Sequence, residues 1–190
     1  GKTRVLTYKI VHLLANGYEP YRLMALTFTN KAANEMKKRV RKLIGDNDLG
    51  LICTFHGFCV QVLRDDISKI NFPTNFLILD SEDTETILKN VYKTHNIKST
   101  EMTINNAKDY IHDCKAAIPK RIKEYFDLFT QTNDEPLYNK YMTAETLEDK
   151  LFYGYLYEQR KSFGLDFDDL ILWTVDLFDK FIDVKEKWSR

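Results

Sequence analysis

The sequence lacks the features that define several large classes of protein. It has no apolar run of about 18 residues and no charged and then apolar leader, which argues against a membrane span and a secretory signal. Its cysteines, Cys53, Cys59 and Cys114, are odd in number and form no Cys-x-x-Cys pair. We therefore expect reduced thiols and a cytoplasmic location rather than a disulfide framework.

The net charge is zero, because 28 Lys and Arg balance 28 Asp and Glu. The charged residues are nevertheless unevenly distributed along the chain. Residues 1–65 hold 11 basic against 5 acidic side chains, a net of +6, and residues 66–190 hold 17 against 23, a net of −6. We expect an anionic ligand to bind the basic part. The alternative is that these charged residues only form solvated surfaces and bind no ligand.

What the 190 residues do contain is enough apolar material for a folded protein. Hydrophobic residues make up 44% of the chain, and 12 Phe, 11 Tyr and 2 Trp exclude a disordered tail. This length suits one sizeable core, or one domain with an insertion.

Hydrophobic spacing predicts that helices and strands alternate in the first part of the chain. Val5, Leu6 and Ile10 begin a helical pattern that runs over 5–14. It is followed by a predicted strand at 23–28, a basic amphipathic helix from 31, a strand at 51–55 and a helix at 56–66. This alternation indicates a parallel α/β part.

The rest of the chain is predicted to be mostly helical. A brief strand is predicted at 75–79, helices at 81–95, 105–117, 119–129, 145–163 and 168–182, and a loop at 130–136. Asp80 or Ser81 is the expected cap of the first of these helices. The last helix carries an apolar stripe that includes Ile171, Val175 and Phe178. We therefore predict an α/β fold with predominantly α content, divided between residues 54 and 80.

Two predicted strand–helix junctions have matching sequences. "LTFTN" at 26–30 ends the first strand, and "CTFHG" at 53–57 ends the second. Ligands of parallel α/β sheets bind outside the carboxyl ends of the strands, where N–H groups at helix starts favour phosphate. A base stacked on an aromatic ring such as Phe28 or Phe55 is worth about 1–3 kcal/mol. Together these features describe a track for a single nucleic-acid strand.

The alternative explanation of the junctions is structural. Thr29 and Asn30 would then only cap their helix, and Phe28 and Phe55 would belong to the core. The match between two separate junctions favours the ligand-binding interpretation.

The first three residues, Gly1-Lys2-Thr3, precede a predicted helix and then a strand. In a P-loop, the glycine-rich turn cradles phosphates, the Lys reaches the β- and γ-phosphates, and the Thr hydroxyl binds magnesium. A bare tripeptide is common by chance. Because a domain rarely starts on it, we expect the chain to be a fragment of a longer protein.

Acidic clusters are better explained as helix caps than as metal ligands. "FLILDSED" at 76–83 is similar to a Walker B strand, but a helical pattern follows the acids directly. In "GLDFDDLI" at 164–171, Asp166, Asp168 and Asp169 favour the positive end of the next helix by about 0.3–1 kcal/mol each. Phe167 lies among these acids, but the capping explanation does not apply to it. An aromatic ring at a helix start need not be buried.

Five segments, in this order and spacing, resemble the UvrD/PcrA/Rep family of superfamily 1 DNA helicases. They are "GKTRVLTYKI", "LMALTFTNKAANEMKKRV", "CTFHGFCVQVLR", "NFLILDSED" and "GLDFDDLI". The resemblance extends from Gly1 to about Ile182, although 96–160 carries little signature. "TFTNKAA" is specific, and "TFH" before a helix followed later by "LDFDDL" makes chance a poor explanation.

This resemblance implies an ATP-driven motor that moves 3′ to 5′ along single-stranded DNA and separates strands ahead of it, in repair or replication. It implies that residues 1–54 are part of a P-loop, RecA-like motor domain (1A) with a partial parallel sheet, and that residues 55–190 form the inserted helical domain (1B). The implied cofactors are ATP and magnesium. The implied partners are single-stranded DNA and junctions between single and double strands, with no membrane.

The resemblance also assigns roles to individual residues. Lys2 and Thr3 would be catalytic, Gly1, Lys2, Thr3 and Arg4 would bind the nucleotide, and Thr3 would hold its magnesium. The residues that would contact single-stranded DNA are Phe28, Thr29, Asn30, Thr54, Phe55, His56 and Phe167.

Several parts that such a motor needs are not in this sequence. They include the adenine-contacting glutamine motif, the first half of the P-loop, the Asp-Glu-x-x-Asp magnesium motif and the second motor domain with its arginine finger. We therefore expect these 190 residues alone not to hydrolyse ATP, and to bind DNA weakly and in a salt-sensitive way at most.

Three other interpretations remain open at the level of sequence. One is the motor subunit of a helicase–nuclease for recombination repair. Another is a non-catalytic interaction module with a motor remnant. A P-loop kinase or other small-molecule enzyme is the third, but it leaves both Thr-Phe junctions unexplained.

Overall fold

A computed structural model of the chain describes residues 2–189, with the side chain of Lys2 excepted. Helices dominate it, and the strands are short. In chain order the elements are α1 (Lys2–Ala15), β1 (Met24–Thr27), α2 (Asn30–Ile44), β2 (Leu51–Thr54), α3 (Phe55–Asp66), β3 (Leu77–Ile78), α4 (Ser81–His95), α5 (Ile104–Ala116), α6 (Pro119–Phe129), α7 (Glu135–Met142), α8 (Leu147–Lys161), β4 (Gly164–Leu165), α9 (Phe167–Lys180) and α10 (Ile182–Trp188).

The chain forms two compact units. Unit 1 contains residues 1–61 and 185–190, and unit 2 contains residues 62–184. The assignment of 1–54 to a motor domain and of 55–190 to an inserted domain stays a prediction, because compactness alone does not identify either part.

Unit 1 is a two-stranded parallel sheet with helices packed on it. Strands β1 and β2 pair in parallel from Met24 opposite Leu51 to Thr27 opposite Thr54. Parallel strands need a crossover between them, and α2 supplies it. The core lies between the sheet and the helices, and its buried residues are Ile10, Met36, Val40, Leu49 and Ile52.

Unit 2 is built mainly from helices α4 to α9. Helix α8 packs on α4 and α7 at Gly154, where an added Cβ would lie 2.5 Å from Tyr141 Cε2 and 2.8 Å from Val91 Cγ1. A second small parallel sheet pairs Leu77 with Gly164 and thereby leads the chain into α9.

The predicted helices and strands are largely confirmed, with some corrections. The loop predicted at 130–136 is interrupted by α7, which begins at Glu135 with Pro136 in its first turn. The stripe predicted on the last long helix is wrong at two of its positions: Ile171 is 44% and Val175 is 52% exposed, whereas Phe178 is half-buried. Helix α9 is apolar on two faces, so periodicity could not choose between them.

The face of α9 that is buried is the one that carries Trp173. Its ring lies 4.7 Å from that of Phe126 and 5.3 Å from that of Phe129, both in α6. Leu170 and Leu177 are buried on the same side. This aromatic cluster draws one apolar face inward and leaves the other at the surface.

At the start of α1, Val5 and Leu6 are exposed, whereas Ile10 is buried as predicted. Each of the described helices is too short or too polar to reach across a bilayer.

Candidate nucleic-acid interface

Strands β1 and β2 end side by side, and a helix begins directly after each. Thr27 and Thr54, the last residues of the two strands, are partners in the register. Helix α2 begins at Asn30 and helix α3 at Phe55. The two matching sequence motifs therefore meet at the carboxyl edge of one sheet, which is where parallel α/β sheets bind ligands.

Threonine side chains cap both helices. Thr29 has an extended backbone, and its Oγ1 accepts a hydrogen bond from the N–H of Ala32 at 3.1 Å. Thr54 Oγ1 accepts from the N–H of Gly57 at 3.0 Å. A hydroxyl that accepts in this way keeps its proton for donation to another oxygen. The predicted capping role of Thr29 is confirmed, while Asn30 is the exposed first residue of α2.

The two phenylalanine rings at this edge lie together at the surface. Phe28 is 92% and Phe55 is 46% exposed, and their ring centroids are 5.6 Å apart with an angle of 43° between the planes. Neither ring belongs to the core, which excludes the structural explanation of the junctions for these two side chains. Solvent-exposed aromatic rings of this kind are the surfaces on which nucleic-acid bases stack.

In unit 1, the positive N-terminal ends of α1, α2 and α3 are not balanced by acidic side chains in their first turns. The first turns of α1, α2 and α3 contain no Asp or Glu, and that of α2 contains Lys31. In unit 2, acids occupy the first turns of α4, α7, α8 and α9, whereas α5 and α6 have none. Because the positive ends of α2 and α3 are not neutralised by acids within the first turn, they are suited to an anion from outside.

A basic face runs along α2 behind the two rings. Lys31, Lys38, Arg41 and Lys42 are exposed on it, as is Arg39, which pairs with Glu35. Next to this helix, burial raises the pKa of the Cys53 thiol, and the charge of Lys37 opposes that rise. The thiol is therefore neutral at physiological pH and adds no negative charge beside α2.

The predicted nucleotide-binding residues lie at the start of α1. Gly1 and the side chain of Lys2 lie outside the described residues. Thr3 is half-buried, and its carbonyl accepts a hydrogen bond from Thr7 Oγ1 at 3.0 Å. Arg4 is exposed, with its guanidinium 5.7 Å from the centre of the Tyr8 ring.

The remaining predicted DNA contacts differ in accessibility. Thr54 is buried, so capping is its observed role, and His56 is half-buried. Phe167 belongs to unit 2, where it is the first residue of α9 and is 50% exposed.

The acids around Phe167 cap α9, as predicted. Asp166 is the N-cap, and its side chain accepts from the N–H of Asp169, while the Asp169 side chain accepts from the N–H of Asp166. Asp168 lies 2.8 Å from Nδ1 of His112, and this hydrogen bond and charge raise the pKa of His112.

A buried ion pair behind Phe167 was not predicted from the sequence. Lys115, which is 2% exposed, places its Nζ 2.6 Å from Asp166 and 2.7 Å from Asp169. The O–H of Tyr155 donates to Asp166 at 2.7 Å, and the O–H of Tyr125 donates to Asp169 at 2.6 Å. Gln159 also donates to Asp169, and Trp173 donates to Tyr125 at 2.6 Å.

The charges of this cluster are tightly coupled. Burial raises the pKa of Asp169 to about 7, and the charge of Asp166 adds to that rise. Burial acts the same way on Asp166, but Lys115 outweighs it and holds the pKa of that carboxyl below its usual value. The two carboxylates likewise outweigh burial and raise the pKa of Lys115. Asp166 and Lys115 are thus charged at neutral pH.

One sequence signal could have revealed this cluster. Lys115 lies one helical turn after Ile111 and next to Cys114, on the column of α5 that faces the core. A lysine at such a position requires a buried acid, and the acid-rich helix start at 166–169 is one of the candidates that the sequence offers.

The other acidic segment is a cap as well. Asp80 is the N-cap of α4, and the N–H groups of Asp83 and Glu82 hold its pKa below the usual value. Within residues 2–189, as described, no three His, Cys, Asp or Glu side chains are grouped so as to hold a metal ion.

Comparison with known proteins gives one consistent result. A family model described as the UvrD/REP helicase N-terminal domain matches residues 1–190. Over 192 residues the chain is 38% identical to a protein named ATP-dependent DNA helicase PcrA from Staphylococcus aureus strain NCTC 8325 / PS 47, covering 100% of the chain and 25% of that protein. A PcrA from Staphylococcus epidermidis strain ATCC 12228 / FDA PCI 1200 is 36% identical with the same coverage. The chain spans about a quarter of the length of these curated relatives.

Proposed function

Because this chain belongs to the UvrD/REP helicase N-terminal domain family, we propose that it is the N-terminal part of an ATP-dependent DNA helicase that moves 3′ to 5′ along single-stranded DNA. Residues 1–54 would be part of its RecA-like motor domain 1A, and residues 55–190 its helical domain 1B. Its substrates would be single-stranded DNA and the junctions where duplex begins, in repair or replication.

The observation that carries this proposal is the exposed pair Phe28 and Phe55 at the edge where α2 and α3 begin. The rings offer a stacking surface, and the uncompensated helix starts beside them offer N–H groups to phosphate. Thr29 caps α2 with its oxygen and would donate its proton to a backbone phosphate. Asn30, Thr54 and His56 complete the predicted contact set.

The start of α1 fits the phosphates of ATP. Its first turn carries no acid that would repel them, and it opens at Lys2 and Thr3. In this proposal Lys2 binds the β- and γ-phosphates with Gly1, Thr3 holds the magnesium ion, and Arg4 lies near the base. When bound, ATP and magnesium would supply the energy-yielding phosphoryl transfer, while this chain's own residues hold and orient the phosphates.

Phe167 would add a second aromatic contact to DNA, from unit 2. Its ring is half exposed at the start of α9, where Asp166 and Asp169 cap the helix. The acids beside it would repel a phosphate, so a base rather than the backbone is the part of the strand that it suits.

The experiment is ATP hydrolysis by the full-length protein with and without oligothymidine. We expect strong stimulation by the oligonucleotide, loss of all activity in Lys2→Ala, and weaker stimulation with a higher DNA requirement in Phe28→Ala. The matched control is Tyr21→Ala, which removes a ring that is 77% exposed but precedes β1, away from its carboxyl end.

Hydrolysis that does not respond to DNA in the folded protein would contradict the proposal and favour an interaction module with a motor remnant. We also propose that the 190 residues alone do not turn over ATP, since they span only about a quarter of the relatives. Turnover by that piece, abolished by Lys2→Ala, would overturn this second point.

A further inference from the structure

Phe167 lies within a helix start that is anchored from three other helices. Of the four residues 166–169 it alone is not an acid, and its neighbours on both sides are held in place. Lys115 of α5 contacts both members of the capping box, Asp166 and Asp169. Tyr155 of α8 and Tyr125 of α6 each donate to one of them.

This anchoring exceeds what a capping box needs. Helix α4 begins with the same device, in which Asp80 and Asp83 accept from backbone N–H groups while both remain exposed. That helix start uses no buried cation. The additional contacts at α9 therefore serve something other than helix initiation.

Fold stability is a poor explanation for the buried cation. Taking Lys115 and two carboxylates out of water is costly, and buried ion pairs replaced by apolar residues are often equally or more stable. A fully satisfied buried network does, however, hold its members in one arrangement. At α9 the element held in this way is the backbone on either side of Phe167.

We propose that Lys115 is a positioning residue for Phe167: by binding Asp166 and Asp169 together, it fixes the first turn of α9 so that the ring stays at the surface in the orientation that stacks on a base. This inference rests on the proposed function, because it requires that Phe167 contact single-stranded DNA.

The test is a double-mutant cycle in the full-length protein, with affinity for oligothymidine measured by fluorescence anisotropy. Stacking of one base accounts for about tenfold in affinity, so Phe167→Ala should weaken binding by about that factor. Lys115→Met keeps the length and apolar stem of the side chain and removes its charge. We expect it to weaken binding several-fold, and to have no further effect in the Phe167→Ala background.

The matched control is Arg121→Met. Arg121 is 13% exposed and binds Asp149, the third residue of α8, so it also anchors an acid at a helix start, and its other ion pair is with Glu124 of α6. We expect this variant to lower the unfolding temperature without changing the affinity for DNA. Tyr155→Phe, which removes only one donor to Asp166, is the milder second variant if Lys115→Met does not fold.

Four outcomes are informative. Loss of affinity that disappears in the Phe167→Ala background supports the inference. If Lys115→Met or Tyr155→Phe lowers the unfolding temperature and leaves affinity unchanged, or weakens binding equally in both backgrounds, Lys115 has only a structural role. If Arg121→Met weakens binding as much as Lys115→Met does, general destabilisation is the cause and the inference is overturned. If the unmutated protein does not bind the oligonucleotide, the proposed function itself fails and the inference fails with it.

Discussion

The rings of Phe28 and Phe55 lie 5.6 Å apart although they follow different strands of the sheet. They meet because Thr27 and Thr54 are partners in the parallel register, so the next residue of each strand emerges at the same level. Two aromatic residues from distant segments thus form one continuous surface. This surface is the basis of the first prediction.

Phe28→Ala and Phe55→Ala should weaken binding of single-stranded DNA in a non-additive way. Each variant alone should cost about tenfold in affinity, and the double variant less than the product, because the two rings form one stacking surface. Phe28→Ala should change the free energy of unfolding by no more than about 0.5 kcal/mol, since the ring is 92% exposed. Anisotropy and urea unfolding measure these two quantities, and a large loss of stability in Phe28→Ala would contradict the surface assignment.

Lys31→Ala should reduce the salt dependence of binding. Lys31 lies in the first turn of α2, next to the predicted phosphate position, so its removal should lower the slope of log affinity against log salt by about 1. Phe28→Ala should reduce affinity and leave this slope unchanged. Lys93→Ala, in the last turn of α4, is the control with the same loss of charge. An equal effect from both lysines would indicate a non-specific field.

The stability of unit 2 should depend on pH through Asp169. Its pKa is raised to about 7, so the folded state holds this proton more tightly than the unfolded chain, in which Asp titrates near pH 3.9. The contribution to the free energy of unfolding is therefore full below about pH 4 and is lost as the pH rises towards about 7. The pKa of Asp166 is lowered, so its own contribution is lost only as the pH falls below about 4.

Asp169→Asn separates these two effects, because it keeps a neutral side chain at every pH. Urea unfolding followed by Trp173 fluorescence should show a flatter dependence for this variant between about pH 5 and 8 than for the unmutated chain. Parallel curves for the two proteins would show that Asp169 is not the group responsible.

Gly154→Ala should destabilise the packing of α8 against α4 and α7. Alanine favours a helix over glycine by about 1 kcal/mol, but the new Cβ would lie 2.5 Å from Tyr141 and 2.8 Å from Val91. We expect overpacking to dominate and to lower the free energy of unfolding by about 1–3 kcal/mol. Asn90→Ala, at an exposed position of α4, is the control and should change it little. A stabilised Gly154→Ala variant would mean that the helices can separate at this point.

The features that were predicted best from the sequence are those that local chemistry determines. Thr29 and Asp80 cap their helices because a small polar side chain before a helical pattern satisfies the first N–H groups whatever lies elsewhere in the fold. Strands β1 and β2 were predictable because they are short apolar runs bounded by turn residues. The position of both junction motifs at one edge of the sheet was predictable as well, since a parallel sheet places all its carboxyl ends at one edge.

What the sequence did not reveal depends on distant contacts. Lys115 is one charged residue among many in a helical pattern, and its partners come from α6, α8 and α9. The orientation of α9 was predicted wrongly because Trp173 is drawn inward by rings of α6, which its own periodicity cannot indicate. The contacts of Gly1 and Lys2 with a nucleotide stay predictions, as do all the assigned DNA contacts.

The in-register pairing of Thr27 with Thr54 has a further consequence. Neighbouring strands are spaced about 4.8 Å apart by their backbone hydrogen bonds. The interval between the two helix starts is therefore a property of the main chain, and no substitution at Phe28, Thr29 or Phe55 alters it. If the two junctions contact a nucleic-acid strand as we propose, substitutions of the rings or caps would change the strength of binding, while the spacing between the two contact points would stay that of the paired strands.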